Sequence, residues 1–110
     1  MTEIKFLPEL QNTIVVNTAV LAYFSHEACN VCKVLKPKVE ELLQQEFPLM
    51  KAVYIDTVRT PEIAGQYSVF AVPTLLCFFD GRESIRKSRN IGINELRDEL
   101  LRPYEMVTGL

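Results

Sequence analysis

Short segments rich in β-branched and aromatic residues recur along the chain and predict strands. They cover residues 20–24, 51–56 and 74–79, and the first is almost wholly apolar, as in a strand covered on both faces. Asp80-Gly81 follows the third segment and is a strong signal for a hairpin turn. Residues 84–89 are therefore predicted to pair back antiparallel, and their charges suit an edge strand.

Apolar residues at helical spacing lie between the predicted strands. The clearest set predicts a helix that runs to about Phe47 and buries one face, made of Val31, Val34, Leu35, Val39, Leu42 and Leu43. Pro37 lies inside this helix. It removes the hydrogen bond to the carbonyl of Lys33 and is expected to kink the helix.

Three further segments predict the remaining helices. One has Pro8 in its first turn and runs to about residue 16, within the stretch 3–17, whose pattern is the least clear. Another has Thr60 as its N-cap and Pro61 at its first position, and runs to about residue 67. The last is expected to be capped by Asn94 and to bury a stripe made of Leu96, Leu100, Leu101 and Tyr104.

This alternation of helices and strands predicts a single α/β domain over residues 1–110. Its central sheet would be mixed, with about four strands and with helices on both faces.

The formal net charge of the 110 residues is only -2, which gives no electrostatic reason to expect nucleic acid or an anionic membrane as a partner. No apolar run approaches the ~20 residues needed to span a bilayer, and the first residues lack the layout of a signal peptide. We therefore expect a cytoplasmic protein.

Two of the three cysteines are spaced for redox chemistry. Cys29-Asn30-Val31-Cys32 follows a predicted buried strand and opens a predicted helix. The free N–H groups and the positive end of the dipole at a helix start favour a thiolate over a thiol. Cys29 is therefore the expected nucleophile. Cys32, one helical turn further on, is expected to attack the mixed disulfide at Cys29 and to close a Cys29–Cys32 disulfide.

Other interpretations of these residues are possible. A Cys-x-x-Cys pair can be half of a structural zinc site, but such a site needs four ligands and only His26 is near in the sequence. His26 could stabilise the Cys29 thiolate, although a solvated loop histidine is the commoner case. Cys77 lies in a predicted buried strand and is expected to be a small core residue rather than a regulatory thiol. No metal or cofactor is therefore expected.

The wider pattern around the cysteine pair resembles the thioredoxin family over nearly the whole chain. The matching features are the pair itself, Lys33, Pro37, Val72-Pro73-Thr74, Asp80-Gly81 and Gly92. The resemblance implies a cis bond before Pro73, whose preceding backbone would offer a short edge to an extended substrate. It also implies a set of substrate-binding residues: Ala28, Asn30, Val31, Val72, Pro73 and Gly92. The implied partners are proteins with disulfide bonds, and a reductase or small thiol that supplies electrons.

Departures from the family pattern surround the same pair. Ala28 replaces the usual tryptophan, and Asn30-Val31 replaces Gly-Pro. Tyr23 aligns with a buried aspartate and Tyr54 with the lysine that often accompanies it. A phenol is a poor base at neutral pH, so our hypothesis is that Cys32 loses its proton through water while the two tyrosines shape the site. Two alternatives follow: an adaptor module with weak redox activity, and an exchanger dedicated to one partner enzyme.

Overall fold

Five strands and four helices alternate along residues 1–109, which are the residues that the computed structural model describes. In chain order they are β1 Thr2–Glu3, α1 Leu7–Val16, β2 Ala19–Ser25, α2 Asn30–Glu46, β3 Lys51–Asp56, α3 Pro61–Gln66, β4 Thr74–Phe79, β5 Arg82–Ser88 and α4 Ile93–Thr108. Among these residues, none of the helices combines the length and the apolar composition needed to span a bilayer.

The strands form one mixed sheet in the order β1-β3-β2-β4-β5. β3 pairs in parallel with both β1 and β2, whereas β4 runs antiparallel to β2 and β5 antiparallel to β4. The β4–β5 hairpin turns at Asp80 and Gly81, whose φ angles are 52° and 80°. Two positive φ angles in succession define the tight turn whose twist matches that of the flanking strands, and they explain the Asp-Gly pair.

The central strand β2 is buried along its whole length and divides the core into two halves. Because successive side chains of a strand point to opposite faces, Leu21 and Tyr23 face α2 and α4. Val20 and Phe24 face α1 and α3 instead. The lack of a polar face on β2 follows from this two-sided covering, and it confirms the prediction of helices on both faces.

The sheet differs from the prediction in its number of strands. It has five strands rather than about four, because Thr2 and Glu3 pair with Val53 and Tyr54 at the edge of β3. A two-residue strand has no periodicity of its own and depends on its partner strand. The bounds predicted for the third and fourth strands in chain order, 51–56 and 74–79, are confirmed.

One of the two predicted helix caps is wrong, and one residue of the predicted buried stripe of α4 is exposed. Gly92, not Asn94, is the N-cap of α4. Thr60 is the N-cap residue of α3 as predicted, but its hydroxyl donates to the carbonyl of Asp56 at 2.7 Å and makes no capping hydrogen bond to the helix. In α4, Leu101 is 37% exposed, so the buried stripe consists of Leu96, Leu100 and Tyr104.

The buried face of α2 also differs from the prediction. The helix is continuous through Pro37, and it buries Cys32, Leu35, Val39, Leu42 and Leu43. Val31 and Val34 were expected on this face but are 62% and 60% exposed. Helical spacing shows which side chains share a face, but it does not show how far a neighbouring element covers that face.

Candidate redox site

The cysteine pair lies where β2 ends and α2 begins. Cys29 is the N-cap residue of α2, and its sulfur accepts a hydrogen bond from the backbone N–H of Cys32 at 3.2 Å. The N–H of Cys29 donates to the carbonyl of His26, also at 3.2 Å, which closes the connecting loop. One of the N–H groups that a helix start leaves free is thus directed at the sulfur of Cys29.

The two cysteines are joined by a disulfide bond, with their Cα atoms 5.2 Å apart. Their exposure differs: Cys29 is partly buried, whereas Cys32 is only 1% exposed and belongs to the core beneath α2. An incoming sulfur can therefore reach Cys29 from solvent far more readily than it can reach Cys32. The third cysteine, Cys77, is a free thiol in the core, and burial together with the charge of Glu99 raises its pKa.

Two tyrosines lie beneath the pair. Tyr23 is fully buried, and its hydroxyl donates to the carbonyl of Cys32 at 2.7 Å. The Tyr54 ring stacks on it with the ring centroids 6.3 Å apart, and the ammonium group of Lys36 lies 5.3 Å from the Tyr54 centroid. Burial, and to a lesser extent the neighbouring Tyr54, raises the pKa of Tyr23 to about 12. The phenol of Tyr23 is therefore a hydrogen-bond donor and not a base at neutral pH.

The Val72–Pro73 segment precedes β4, and its peptide bond is cis. Pro73 is buried, and its carbonyl accepts from the N–H of Arg89 at 2.7 Å. The hydroxyl of Thr74 donates to the carbonyl of Ala71, also at 2.7 Å. Val72 remains half-buried and lines a cleft of about 380 Å³ that also reaches His26.

Gly92 and the residues between the cysteines share a second, larger groove. Asn30, Val31 and Gly92 line a space of about 870 Å³ between α2 and the start of α4. A Cβ atom at Gly92 would meet nothing nearer than the Cβ of Glu95 at 3.8 Å. The chain itself therefore does not require glycine at this position.

Ala28 and Pro37, both predicted site residues, lie on the surface apart from the groove and the cleft. Ala28 is exposed on the loop before Cys29 and lines neither the groove nor the cleft. Pro37 is exposed on α2 and also lines neither. The expectation of a solvated His26 is wrong, because its ring is half-buried and its Nδ1 atom is buried without a hydrogen-bond partner among the described residues.

Some residues around the site were not found from the sequence. Phe70 is 88% exposed beside the His26 cleft, whereas its neighbour Val69 is buried. Ile91 and Ile93 line the larger groove on either side of Gly92. Their apolar character on both sides of a glycine was the available signal, but it did not distinguish a groove from a core.

The arrangement is suited to dithiol–disulfide exchange. It places one accessible sulfur at a helix N-terminus and a second, buried sulfur within bonding distance of it. Among residues 1–109, no three His, Cys, Asp or Glu side chains are grouped as a metal site would require.

Comparisons with known proteins agree with this geometry. A family model described as Thioredoxin matches residues 2–101. The thioredoxin-like protein YdfQ of Bacillus subtilis is 35% identical over 109 residues, which cover 99% of this chain and 96% of that protein. The thioredoxin of the same organism is 38% identical over 85 residues, which cover 77% of this chain and 81% of that one. A solved structure of a mutant thioredoxin from Halobacterium salinarum superposes with a TM-score of 0.83 at 29% identity, covering 99% of this chain and 91% of the other.

Proposed function

Because the chain belongs to the thioredoxin family, we propose that it reduces disulfide bonds in proteins through Cys29 and Cys32. The observation that carries the proposal is the position of Cys29 as the N-cap of α2, where its sulfur accepts the N–H of Cys32. The same N–H and the helix dipole favour the anionic form of the reduced sulfur. Membership of the family indicates thiol–disulfide oxidoreductase activity, and the reduction of protein disulfides is the finer proposal.

The proposed cycle starts from the reduced pair. The Cys29 thiolate attacks one sulfur of a substrate disulfide, and the other substrate sulfur leaves as a thiolate. Cys32, as a thiolate, then attacks the Cys29 sulfur, so that the Cys29–Cys32 bond forms while the bond to the substrate breaks. The substrate gains two electrons and two protons, and the pair is left as the disulfide seen in the structure. An external reductase or small thiol returns the two electrons.

The proton of Cys32 has no protein base in this scheme. The hydroxyl of Tyr23 donates to the Cys32 carbonyl, and its raised pKa keeps it protonated. We assign the removal of the proton to water, with Tyr23 and Tyr54 holding the helix start against β2 and β3.

Substrate contacts are proposed for the residues that surround the accessible sulfur. In this proposal the exposed Ala28 and Asn30 and the backbone of the half-buried Val72 would meet an extended segment. Val31 and Gly92 would meet it from the groove, and Pro73 would support the edge that Val72 presents. The work of the protein is assigned to the cytoplasm, where a reducing environment keeps the pair as thiols.

An insulin-reduction assay with dithiothreitol as electron donor tests the proposal. The wild-type chain should accelerate precipitation of the insulin B chain, and Cys29→Ser should abolish the acceleration. Cys32→Ser should instead hold substrates as mixed disulfides at Cys29, visible as a mass increase that dithiothreitol reverses. Wild-type protein that gives no acceleration would contradict the proposal.

That negative outcome would favour an adaptor module with weak redox activity. Tyr23, in the position of a carboxylate, is the observation that motivates this second candidate. Partners trapped by Cys32→Ser would separate a general exchanger from one dedicated to a single enzyme, because the general exchanger should capture many different proteins.

A further inference from the structure

The segment that joins α3 to β4 carries the Val72 backbone proposed above to meet substrates. We call residues 67–73 the α3–β4 segment; it begins at Tyr67, the C-cap residue of α3, and ends at Pro73, directly before β4. Its second residue, Ser68, has a φ of 55°. A left-handed conformation is unfavourable for a residue with a Cβ atom, and it persists only where surrounding contacts hold it.

The side chain of Arg86 on β5 attaches to the start of the α3–β4 segment. Its guanidinium group donates to the carbonyl of Tyr67 at 2.7 Å and to the carbonyl of Ser68 at 3.2 Å. Both residues lie outside the helices and strands, so neither carbonyl has a partner in a helical or sheet ladder. Arg86 therefore supplies the hydrogen bonds that tie this turn to β5.

Glu83 holds the guanidinium group of Arg86 in place. Its two carboxylate oxygens each accept a hydrogen bond from Arg86 at 2.9 Å. Two parallel bonds of this kind fix the plane of the guanidinium group as well as its position. The donors that remain can then be directed at two neighbouring carbonyls.

A β-bulge places Glu83 and Arg86 on the same face of the sheet. On a regular strand, residues three apart point to opposite faces. The pairing of β4 with β5 shifts between Cys77 and Phe78, which leaves Ser84 as an extra residue. Glu83 and Arg86 therefore both lie on the side of α1 and α3. Bulges commonly redirect a side chain next to a functional site.

The other attachments of the α3–β4 segment are made by its own backbone. The carbonyl of Pro73 accepts the N–H of Arg89 at 2.7 Å, and the N–H of Val69 donates to the carbonyl of Ala64 at 2.8 Å. The attachment by Arg86 comes from a side chain outside the segment. It can therefore be removed without changing the segment itself.

We propose that Arg86, oriented by Glu83, is a positioning residue for substrate binding, because it holds the α3–β4 segment in the conformation that presents the Val72 backbone. The inference rests on the proposed function, since the ligand is the extended protein segment proposed to meet Val72. Arg86 acts through the segment and not on the reacting sulfur atoms. Its loss should therefore impair the reduction of protein disulfides, but not of a small disulfide that meets Cys29 alone.

The first measurement is amide hydrogen exchange of the full chain, followed by mass spectrometry of the peptides that contain residues 67–73. Arg86→Met retains an unbranched apolar stem and removes the donors. It should raise the rate of amide exchange in these peptides by about fivefold, equivalent to about 1 kcal/mol, the net contribution of an ordinary hydrogen bond. Peptides from β2 should exchange as they do in the wild type.

The second measurement compares the rate constant for insulin with that for dithiobis(nitrobenzoate), a small disulfide. Arg86→Met should lower the rate constant for insulin by about fivefold, in proportion to the opening of the segment. It should leave the rate constant for the small disulfide unchanged. Glu83→Gln should change the amide exchange and the insulin rate in the same directions by smaller factors, and it carries the test if thermal unfolding shows that Arg86→Met does not fold.

Two further variants serve as controls. Arg82 is also an exposed arginine of β5, but it pairs with Phe79 and so lies on the side of α2 and α4. Arg82→Met should leave both measurements unchanged. Arg86→Lys keeps the charge but lacks the planar fork of donors, so it should resemble Arg86→Met.

Each other outcome overturns a defined claim. Unchanged amide exchange in the segment, or an unchanged insulin rate in Arg86→Met, overturns the inference while the proposed function stands. Equal losses with insulin and with the small disulfide would assign Arg86 to the stability of the fold alone and overturn it too. The same holds if Arg82→Met reproduces the effect, or if Arg86→Lys restores the insulin rate and so assigns the effect to charge. A wild-type chain that does not reduce insulin overturns the proposed function and the inference with it.

Discussion

Tyr23→Phe removes one oxygen atom from beneath the redox pair and leaves the ring in place. In the wild-type chain this oxygen is fully buried and donates to the carbonyl of Cys32 at 2.7 Å. The ring would still stack on Tyr54 and fill the space between β2 and α2. The substitution therefore measures the effect of losing the hydroxyl group while the packing of the ring is unchanged.

The expected loss of stability at neutral pH is that of one buried hydrogen bond, about 1 kcal/mol. For a domain of this size the loss corresponds to roughly 4–8 °C in Tm. The loss should depend on pH, because the pKa of Tyr23 is about 12 in the folded protein and about 10 in an unfolded chain. Above pH ~10 the unfolded wild-type chain releases this proton and the folded one holds it, which lowers wild-type stability as pH rises.

This alkaline loss has a calculable size. Two units of pKa correspond to at most about 2–3 kcal/mol, complete only above pH ~12. Tyr23→Phe has no such proton and escapes this loss. The stability of the wild type minus that of Tyr23→Phe should therefore fall as pH rises above ~10 and become negative, because the alkaline loss exceeds the ~1 kcal/mol of the hydrogen bond. Urea unfolding at intervals from neutral to alkaline pH measures this difference, and a difference that becomes more positive in that range would refute the assigned direction of the pKa shift.

The activity of the same variant tests the role of the hydroxyl. If water removes the proton of Cys32, Tyr23→Phe should reduce insulin at a rate within severalfold of wild type. Cys32→Ser, by contrast, should stop turnover. A Tyr23→Phe variant as impaired as Cys32→Ser would show that the phenol takes part in proton transfer.

Two further predictions concern the core and the turns. Cys77 is fully buried and burial raises its pKa, so in the reduced native protein iodoacetamide should modify Cys29 first and Cys77 only in denaturant, as read by mass spectrometry; early modification of Cys77 would contradict this. Gly81→Ala should destabilise the protein by about 1 kcal/mol, because Gly81 has a φ of 80° in the β4–β5 turn. Gly65 lies in α3, and nothing is within 4 Å of a carbon added there. Gly65→Ala should therefore leave the free energy of unfolding in urea unchanged or raise it by up to about 1 kcal/mol. Equal losses of stability at both glycines would contradict the explanation by the positive φ of Gly81.

The fold was predictable where a segment carries its own signal. β3 and β4 have several adjacent apolar residues, and their predicted bounds match the structure. β1 consists of Thr2 and Glu3 alone and exists through its pairing with Val53 and Tyr54. The start of α4 was misplaced because Asn94 is a strong cap residue, whereas the structure begins the helix at Ile93 with no side-chain cap.

The site was predictable in its chemistry but not in its surroundings. The position of Cys29 at a helix start followed from the local sequence, because a buried strand and a helical pattern flank it. The exposure of Val34 and the shielding of His26 Nδ1 depend on elements distant in sequence, which local patterns do not report.

The surroundings of Cys32 limit how the protein can complete its cycle. Asp56 is the only buried carboxylate among residues 1–109, and its Oδ1 atom accepts the N–H groups of Val58 and Arg59 at 2.9 and 3.0 Å. The hydroxyl of Tyr23 donates to a carbonyl and stays protonated. Both groups are thus engaged in hydrogen bonds of their own, which supports our proposal that the proton of Cys32 passes to water on the side where Cys29 meets solvent. If that proposal holds, a substrate that covers this side should slow the resolution of its own mixed disulfide, and the rate of the second step should then vary with the shape of the substrate.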